Sequence, residues 1–336
     1  MRILFVVPSY YPSIGGVEYV VKSVAERLAR MGHEVTVVAG DPGAGEPREE
    51  EVSGVRVVRW PVWGPGGAYH FPGRSLEGFL VDLARYANIV HIHSVHSVFS
   101  VLAGLALTKA SRKARVVVTP HYHGTGHTYA RRVLWLPWRR WVSKLLRGAD
   151  VVHAVSGREA SLVLSHYPHV RGRVAIVPNG VDEDVYGYRW LGRSSGYMLY
   201  AGRVEKYKRL DLAVRVAKEM GLKLLVIGRG SYRDKLAKYA ERVYRGGVEL
   251  LDPQPRERYL ELLSQARYAV NPSKQEAFSI FVAEALAMGM PALTSREIAE
   301  NLEAIVKFFN NELVVIERAP VKTWSEVVHQ YLSKLY

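Results

Sequence analysis

A chain of 336 residues with 48% apolar residues and no cysteine can fill two hydrophobic cores, and it holds no disulfide scaffold, thiolate metal site or cysteine nucleophile. Its 46 Lys and Arg against 32 Asp and Glu leave a net charge of +14, which asks for an anionic partner or surface. Disorder is excluded as the main description, and the low amide content (Gln 254, 265, 275 and 330) fits a heat-adapted source.

The opening residues Met1–Pro8 carry one positive charge and an apolar run too short for a signal peptide, so they read as a buried strand. The weakly polar stretch Val95–Leu107 falls short of the roughly 18 residues a membrane span requires. The expectation is a cytoplasmic, soluble protein, with peripheral contact to the inner membrane face left open. Short β-branched runs then alternate with helical patterns, the mark of an α/β fold with parallel sheets. In the first half the strands are Ile3–Val7, Glu34–Ala39, Val55–Arg59, Ile89–His93, Arg115–Thr119, Val151–Val155 and Ala175–Val177. Between the first two, apolar residues at 17, 20, 21, 24, 25 and 28 predict a helix over Val17–Met31, closed by Gly32. The rhythm restarts with Met198–Ala201, Lys223–Ile227, Val248–Leu251, Tyr268–Val270 and Ala292–Thr294. The turn Pro178-Asn179-Gly180 and the polar stretch up to Gly196 place a hinge there. Two Rossmann-like, doubly wound domains facing across a cleft would present the C-terminal ends of both sheets to a ligand.

No carboxylate occurs from Leu83 through Ala149, a stretch with eleven basic residues, among them Arg85, Arg112, Arg115 and Arg147. Within it Arg131, Arg132, Arg139, Arg140 and Lys144 alternate with Trp135, Trp138 and Trp141. Basic and aromatic side chains in one helical stretch suit an interfacial helix on anionic lipid; an ordinary core-facing helix with a solvated basic face is the alternative. No helix-turn-helix, RRM or OB pattern accompanies the charge, so nucleic acid is not the expected partner.

Three segments can carry chemistry. Glu276 and Glu284 stand eight positions apart, from a loop after a strand into the apolar helix Phe281–Met288. Eight helical residues span about 12 Å, beyond the roughly 5–9.5 Å of a glycosidase carboxylate pair, so the two do separate jobs. Glu276 can reach a ligand, Glu284 can accept from vicinal hydroxyls such as a ribose offers, and the amides of Phe278, Ser279 and Ile280 would face an anion. Secondly, Gly202-Arg203 with Lys208 follows a strand end; Arg can fork onto phosphate oxygens while Lys acts as a point charge. Cations at a helix start oppose its dipole unless an anion joins them, which favours a bound diphosphate over plain solvation. Thirdly, Gly15-Gly16 before a helix allows amides to approach phosphate.

In their order and spacing these segments resemble the family-4 retaining, nucleotide-sugar-dependent glycosyltransferases of GT-B fold. The resemblance runs from Met1 to about Pro291 and includes Gly15-Gly16, His91-Ile92-His93, Ser156, Val177–Asp182, Gly202-Arg203 with Lys208, Gly228-Arg229-Gly230 and Glu276 to Glu284. It implies an acceptor domain over 1–181, a nucleotide-sugar donor domain over 182–318 and a final helix over 319–336 that crosses back to the first. Arg203 and Lys208 would bind the donor diphosphate, Glu284 the ribose and Glu276 the donor sugar. His121 would sit near the anomeric centre and acceptor, with His93 and His123 on the acceptor side. The resemblance also implies retention of configuration and no cofactor or catalytic metal; Arg203, Lys208 and helix-start amides can stabilise a leaving diphosphate. Asp182-Glu183-Asp184, a metal-holding pattern in other transferases, follows a turn and reads as helix-start chemistry. The chain departs from the family where Ala277 and Ser279 replace the usual glycines, and where Thr294-Ser295-Arg296-Glu297 replaces a Gly-Gly segment.

His91, His93, His96, His121, His123 and His127 could also be read as a zinc cluster, but no carboxylate lies near to complete it. The reading is thus a hexosyltransferase taking a UDP- or GDP-sugar to an acceptor, with a lipid-linked acceptor favoured. A nucleotide-sugar epimerase or hydrolase, or a non-catalytic nucleotide-sugar or nucleic-acid binder, are the rivals.

Overall fold

The structure, a computed structural model, describes residues 1–13, 15–64, 69–73, 75–110, 113–124 and 129–336, and for residues 129–132 the backbone. Arg112, His127 and the side chains of Arg131 and Arg132 lie outside the described residues. The chain forms two compact units, Met1–Asn179 with Trp324–Tyr336, and Gly180–Thr323.

In the first unit the elements run β1 (Arg2–Val7), α1 (Gly16–Arg30), β2 (Glu34–Asp41), β3 (Arg48–Val52), β4 (Val55–Trp63), β5 (Phe71–Pro72), α2 (Ser75–Ala84) and β6 (Ile89–His93). They continue with α3 (Val98–Ala110), β7 (Arg115–Thr119), α4 (Tyr129–Arg147), β8 (Val151–Ala154), α5 (Gly157–His166) and β9 (Val174–Ile176). The sheet order is β3-β4-β2-β1-β6-β7-β8-β9, parallel from β4 to β9. Strands covered on both faces read as continuous apolar runs, and Ile3 through Val7 are all buried. In α1 the buried stripe is Val20, Val21, Val24, Ala25 and Leu28, and Gly32 ends the helix at φ +85°.

The second unit runs β10 (Tyr197–Ala201), α6 (Leu210–Glu219), β11 (Lys223–Ile227), α7 (Arg233–Val243), β12 (Val248–Leu251), α8 (Arg256–Gln265) and β13 (Tyr268–Asn271). It then adds α9 (Ile280–Ala287), β14 (Ala292–Thr294), α10 (Arg296–Asn301), β15 (Val306–Phe308) and β16 (Val314–Ile316). Its order is β12-β11-β10-β13-β14-β16-β15, with β16 and β15 antiparallel. In both units the order reverses beside the first strand, between β1 and β6 and between β10 and β13. At such a switch point the loops at the C-terminal strand ends diverge and leave room for a ligand.

The final segment, α11 (Trp324–Gln330) and a π-helical turn over Tyr331–Leu335, belongs to the first unit, where Trp324 is fully buried and meets Tyr19 edge-on at 6.0 Å. The units divide after Asn179 rather than after 181, and the returning segment starts at Trp324 rather than at 319. At the two ends of the second unit Val181 pairs with Thr323.

Sequence periodicity misses β3, β5, β15 and β16. The strand β3 is exposed and rich in Glu; it is held by ladder bonds to β4 and by Arg56–Glu49 and Arg59–Glu50 ion pairs across the strands, which no apolar alternation announces.

Candidate active site

The switch point of the second unit is built from the loops after β10 and β13. After β10 the backbone turns at Gly202 (φ +148°), whose N–H donates to the Ile227 carbonyl, and Gly228 mirrors it after β11. A Cβ at Gly228 would lie 2.0 Å from the Gly202 carbonyl oxygen, and one at Gly230 2.2 Å from that of Val204. The glycines of Gly228-Arg229-Gly230 are thus required by backbone contact. Glu205 holds the second loop by accepting from the N–H and hydroxyl of Ser231, at 3.0 and 2.6 Å.

Arg203 and Lys208 come together on Tyr207. The Arg203 guanidinium donates to the Tyr207 hydroxyl at 3.0 Å, and Lys208 Nζ lies 5.1 Å from its ring centroid. Arg203 is exposed, whereas Lys208 is buried and ion-paired with Glu276 in the loop after β13. The anion expected at this helix start is, in the protein itself, the Glu276 carboxylate, so the unopposed-cation argument for a diphosphate loses its force. Three further bonds fix the Glu276 loop. Asn301 donates to the Glu276 carbonyl at 2.6 Å, Ser295 to that of Ser273 at 2.6 Å, and the Asn271 amide to the Ser279 hydroxyl at 3.0 Å. Ser295, in the segment that replaces Gly-Gly, is therefore a tether of this loop and the N-cap of α10.

Ser279 is the N-cap of α9 with φ −104° and no side-chain cap, so the amides that follow it, with those of Phe278 and Ile280, form the helix start. Neither Ala277 nor Ser279 has a positive φ, so the loop needs no glycine at either place. Glu284, two turns along, is buried and accepts from Arg256 and from the Tyr259 hydroxyl, both at 2.6 Å. Burial raises its carboxyl above the usual range, against the pull of Arg256. The expected open carboxylate for a ribose is thus already engaged, and Glu284 forms a second group with Arg256, Tyr259 and Asp184, which takes the other face of Arg256 at 2.8 and 2.9 Å. Sequence reading missed Arg256 and Tyr259, because a residue on a distant helix carries no local signal of its partner, and it gave Tyr207 no role although it stands between Arg203 and Lys208.

In the first unit the switch point lies between β1 and β6. Gly15 is the N-cap of α1 in extended backbone, and Gly16 begins the helix. A Cβ at Gly15 would collide with the Glu18 carboxylate, which accepts from the Ser9 hydroxyl. Beside it stand three buried histidines, His91, His93 and His153, and the half-buried His121. The Val177 carbonyl can only accept, so His153 donates to it from Nε2 at 2.8 Å and its Nδ1 takes the Thr119 hydroxyl at 2.7 Å. Thr119 then accepts from His91 Nε2 at 2.6 Å, and His91 Nδ1 accepts from the Tyr336 hydroxyl at 2.8 Å. His93 Nδ1 and His121 Nε2 share a hydrogen bond of 3.1 Å, and His121 has φ +49°. His123 belongs elsewhere: it stacks on His96 at 4.1 Å, in a cluster with Tyr122 and Trp135. Among the described residues no three His, Asp or Glu side chains are arranged to hold a metal ion.

Burial lowers all four histidines, His121 to about 3 and His153 to about 4. A lowered folded value gives stability that is present above pH 6.5 and lost as pH falls through the folded value. Glu159, raised to about 7 by burial, works the other way: its contribution is complete below about pH 4.5 and fades as pH rises through 7. The four histidines outnumber the two raised carboxyls, Glu159 and Glu284, so urea unfolding should show stability falling from pH 7 to pH 5, at up to about 1.4 kcal/mol per pH unit for each histidine. A flat profile would show that these rings are not buried neutral.

In the helix α4 three of the residues expected to meet lipid pack against the first unit instead. Trp135 is buried against His96 and Tyr122, Trp138 is half-buried and donates to the Val95 carbonyl at 3.0 Å, and Arg139 lies over the Tyr167 ring. These three hold the helix down. Its outer face carries exposed Val133, Leu134, Leu136 and Trp141 with Arg140 and Lys144. Among the described residues no helix is long and apolar enough to cross a membrane.

The Glycosyltransferase Family 4 model matches residues 14–185, more than half of the chain, and the model for Glycosyl transferases group 1 matches residues 193–334. The chain belongs to glycosyltransferase family 4. It is 28% identical over 315 residues (88% of this chain, 78% of the other) to GDP-mannose:cellobiosyl-diphosphopolyprenol alpha-mannosyltransferase of Xanthomonas campestris. It is 28% identical over 325 residues (87% and 78%) to GDP-mannose-dependent alpha-mannosyltransferase of Mycobacterium tuberculosis. Sucrose-phosphate synthase of Thermosynechococcus elongatus shares its fold with a TM-score of 0.71 at 18% identity, over 99% of this chain and 90% of that one. The fold is therefore GT-B, and this family-4 member is a glycosyltransferase.

Proposed function

We propose that this family-4 enzyme transfers mannose from GDP-mannose, with retention and without a metal ion, to a lipid-linked acceptor. The observation that carries the reading is the group Arg203, Tyr207, Lys208 and Glu276 at the second unit's switch point. Two cations on one tyrosine are placed to take the charge of a leaving diphosphate, and Glu276, held by Lys208, is placed for the sugar hydroxyls. The α9 amides add partial positive charge, and Glu284, kept in place by Arg256 and Tyr259, retains lone pairs for a ribose. The mannosyltransferases named above use GDP-mannose, and one takes a diphosphopolyprenol-linked acceptor. In the first unit, His121 serves the acceptor side.

Purified protein with GDP-mannose and a polyprenyl-diphosphate-linked oligosaccharide should release GDP and form an α-mannoside, undiminished by a chelator. GDP release that does not depend on acceptor, or turnover only with other nucleotide-sugars, would overturn the reading.

The outer face of α4, apolar residues beside Arg140 and Lys144, supports contact with anionic lipid. In vesicle flotation the protein should rise with phosphatidylglycerol vesicles, and substituting Leu134, Leu136 and Trp141 by Ser should lower the bound fraction at least several-fold. No salt-sensitive flotation would remove the membrane from the proposal.

A further inference from the structure

His121 is a β-strand exit residue in left-handed backbone at φ +49°, a conformation that a non-glycine residue keeps only where its surroundings impose it. One residue on, the backbone is held from outside the strand. The parallel ladder between β7 and β8 pairs Val117 with Val151 and Val118 with Val152. Beyond the strand ends the carboxylate of Glu159 bridges the two exits, accepting from the Tyr122 N–H on one oxygen and from the Val155 N–H at 2.7 Å on the other. Glu159 is itself fixed: it is 2% exposed, and its own N–H donates to the Ser156 hydroxyl at 3.1 Å. Ser156-Gly157-Arg158-Glu159 is a capping box in which the glutamate reaches back past the cap to a second strand. Tyr122 is also held from its ring end, its hydroxyl donating to the Gly124 carbonyl at 2.7 Å.

We propose that Glu159 is a positioning residue for His121: by gripping the Tyr122 N–H it holds His121 in the left-handed conformation that sets its imidazole against His93. A glutamine cannot replace it, because its single carbonyl oxygen accepts one of the two N–H groups and its NH2 is turned toward the other. An ordinary capping box would have the glutamate accept from the N–H of the cap residue itself and would leave Tyr122 untouched. The inference rests on the role given to His121 under the proposed function.

The test is a double-mutant cycle on GDP release from GDP-mannose with the polyprenyl-linked acceptor. Glu159→Gln should lower kcat about 10- to 100-fold, as displacement of a reacting group does, with KM for GDP-mannose within about 2-fold. Added to His121→Ala, the same change should cost less than about 2-fold more. Equal losses in both backgrounds would show that Glu159 does not act through His121 and would overturn the inference. A readout independent of turnover is the backbone 13Cα shift of 13C-labelled His121, which should leave its left-handed value in Glu159→Gln. An unchanged shift overturns the inference, and Glu159→Asp, a methylene shorter, serves if the glutamine variant does not fold. Full activity of His121→Ala would instead remove His121 from the proposed function, leaving the shift measurement to judge the clamp.

Discussion

Lys208→Met should lower kcat/KM for GDP-mannose by about 10²–10³-fold, the usual loss when a group that stabilises developing charge is removed. Lys208 has two jobs that the experiment can separate. It neutralises Glu276, and both side chains are largely shielded, at 11% and 15% exposure, so removing the cation strands a carboxylate at roughly 3 kcal/mol in stability. It also supplies charge for the diphosphate. In Lys208→Met/Glu276→Gln the stranded charge is gone and stability should return to within about 1 kcal/mol of wild type, while activity stays lost. Arg203→Gln, at an exposed position, should leave the melting temperature unchanged and reduce turnover about 10-fold or more. A folded Lys208→Met enzyme with wild-type turnover would remove the cation from the mechanism.

Arg256→Met should act chiefly on stability. It leaves Glu284, 5% exposed, with the hydroxyl of Tyr259, and it also breaks the contact to Asp184. Arg256 is itself one-third exposed, so the loss is set below that of a fully buried pair, at about 2–3 kcal/mol in urea unfolding. Glu284→Gln in the same chain should recover most of it, because an amide carries no charge to strand. Arg256→Met should also raise KM for GDP-mannose more than it lowers kcat, since Glu284 is assigned to donor binding rather than to the reacting centre. A change below about 0.5 kcal/mol would mean that Glu284 does not depend on this arginine.

The legibility of the chain follows its physics. Strands buried on both faces, such as Ile89–His93 and Arg115–Thr119, announce themselves as short β-branched runs, and their predicted bounds match the structure. The amphipathic α1 and its terminal Gly32 are equally local. The edge strand β3, a run of Arg and Glu, has no such signature, since its partners are another strand's carbonyls and arginines. Around the site, Gly202, Arg203, Lys208 and Glu276 are legible because a short segment must combine a sharp turn with charge. The aromatic residues of α4 show the converse. Residues 131–147 read as one lipid-facing set, yet Trp135 and Trp138 turn inward while Trp141 turns out, because a helix distributes neighbours around its axis and only packing says which side is buried. Glu159 was within reach, since Ser156 followed three residues later by Glu is a capping signature.

What the sequence determined by itself is therefore the architecture and the chemical inventory: two parallel-sheet units, the cations Arg203 and Lys208 after a sharp turn, and two glutamates eight positions apart. These follow from periodicity, turn chemistry and charge, all carried within a few neighbouring residues. Tertiary structure decided the partnerships. Lys208 with Glu276, Glu284 with Arg256 and Tyr259, and the amide of Tyr122 with Glu159 join residues 68, 28, 25 and 37 positions apart. Such pairs form because a buried charge or N–H must find a counterpart wherever the fold brings one, and that requirement leaves no mark on the residues in between.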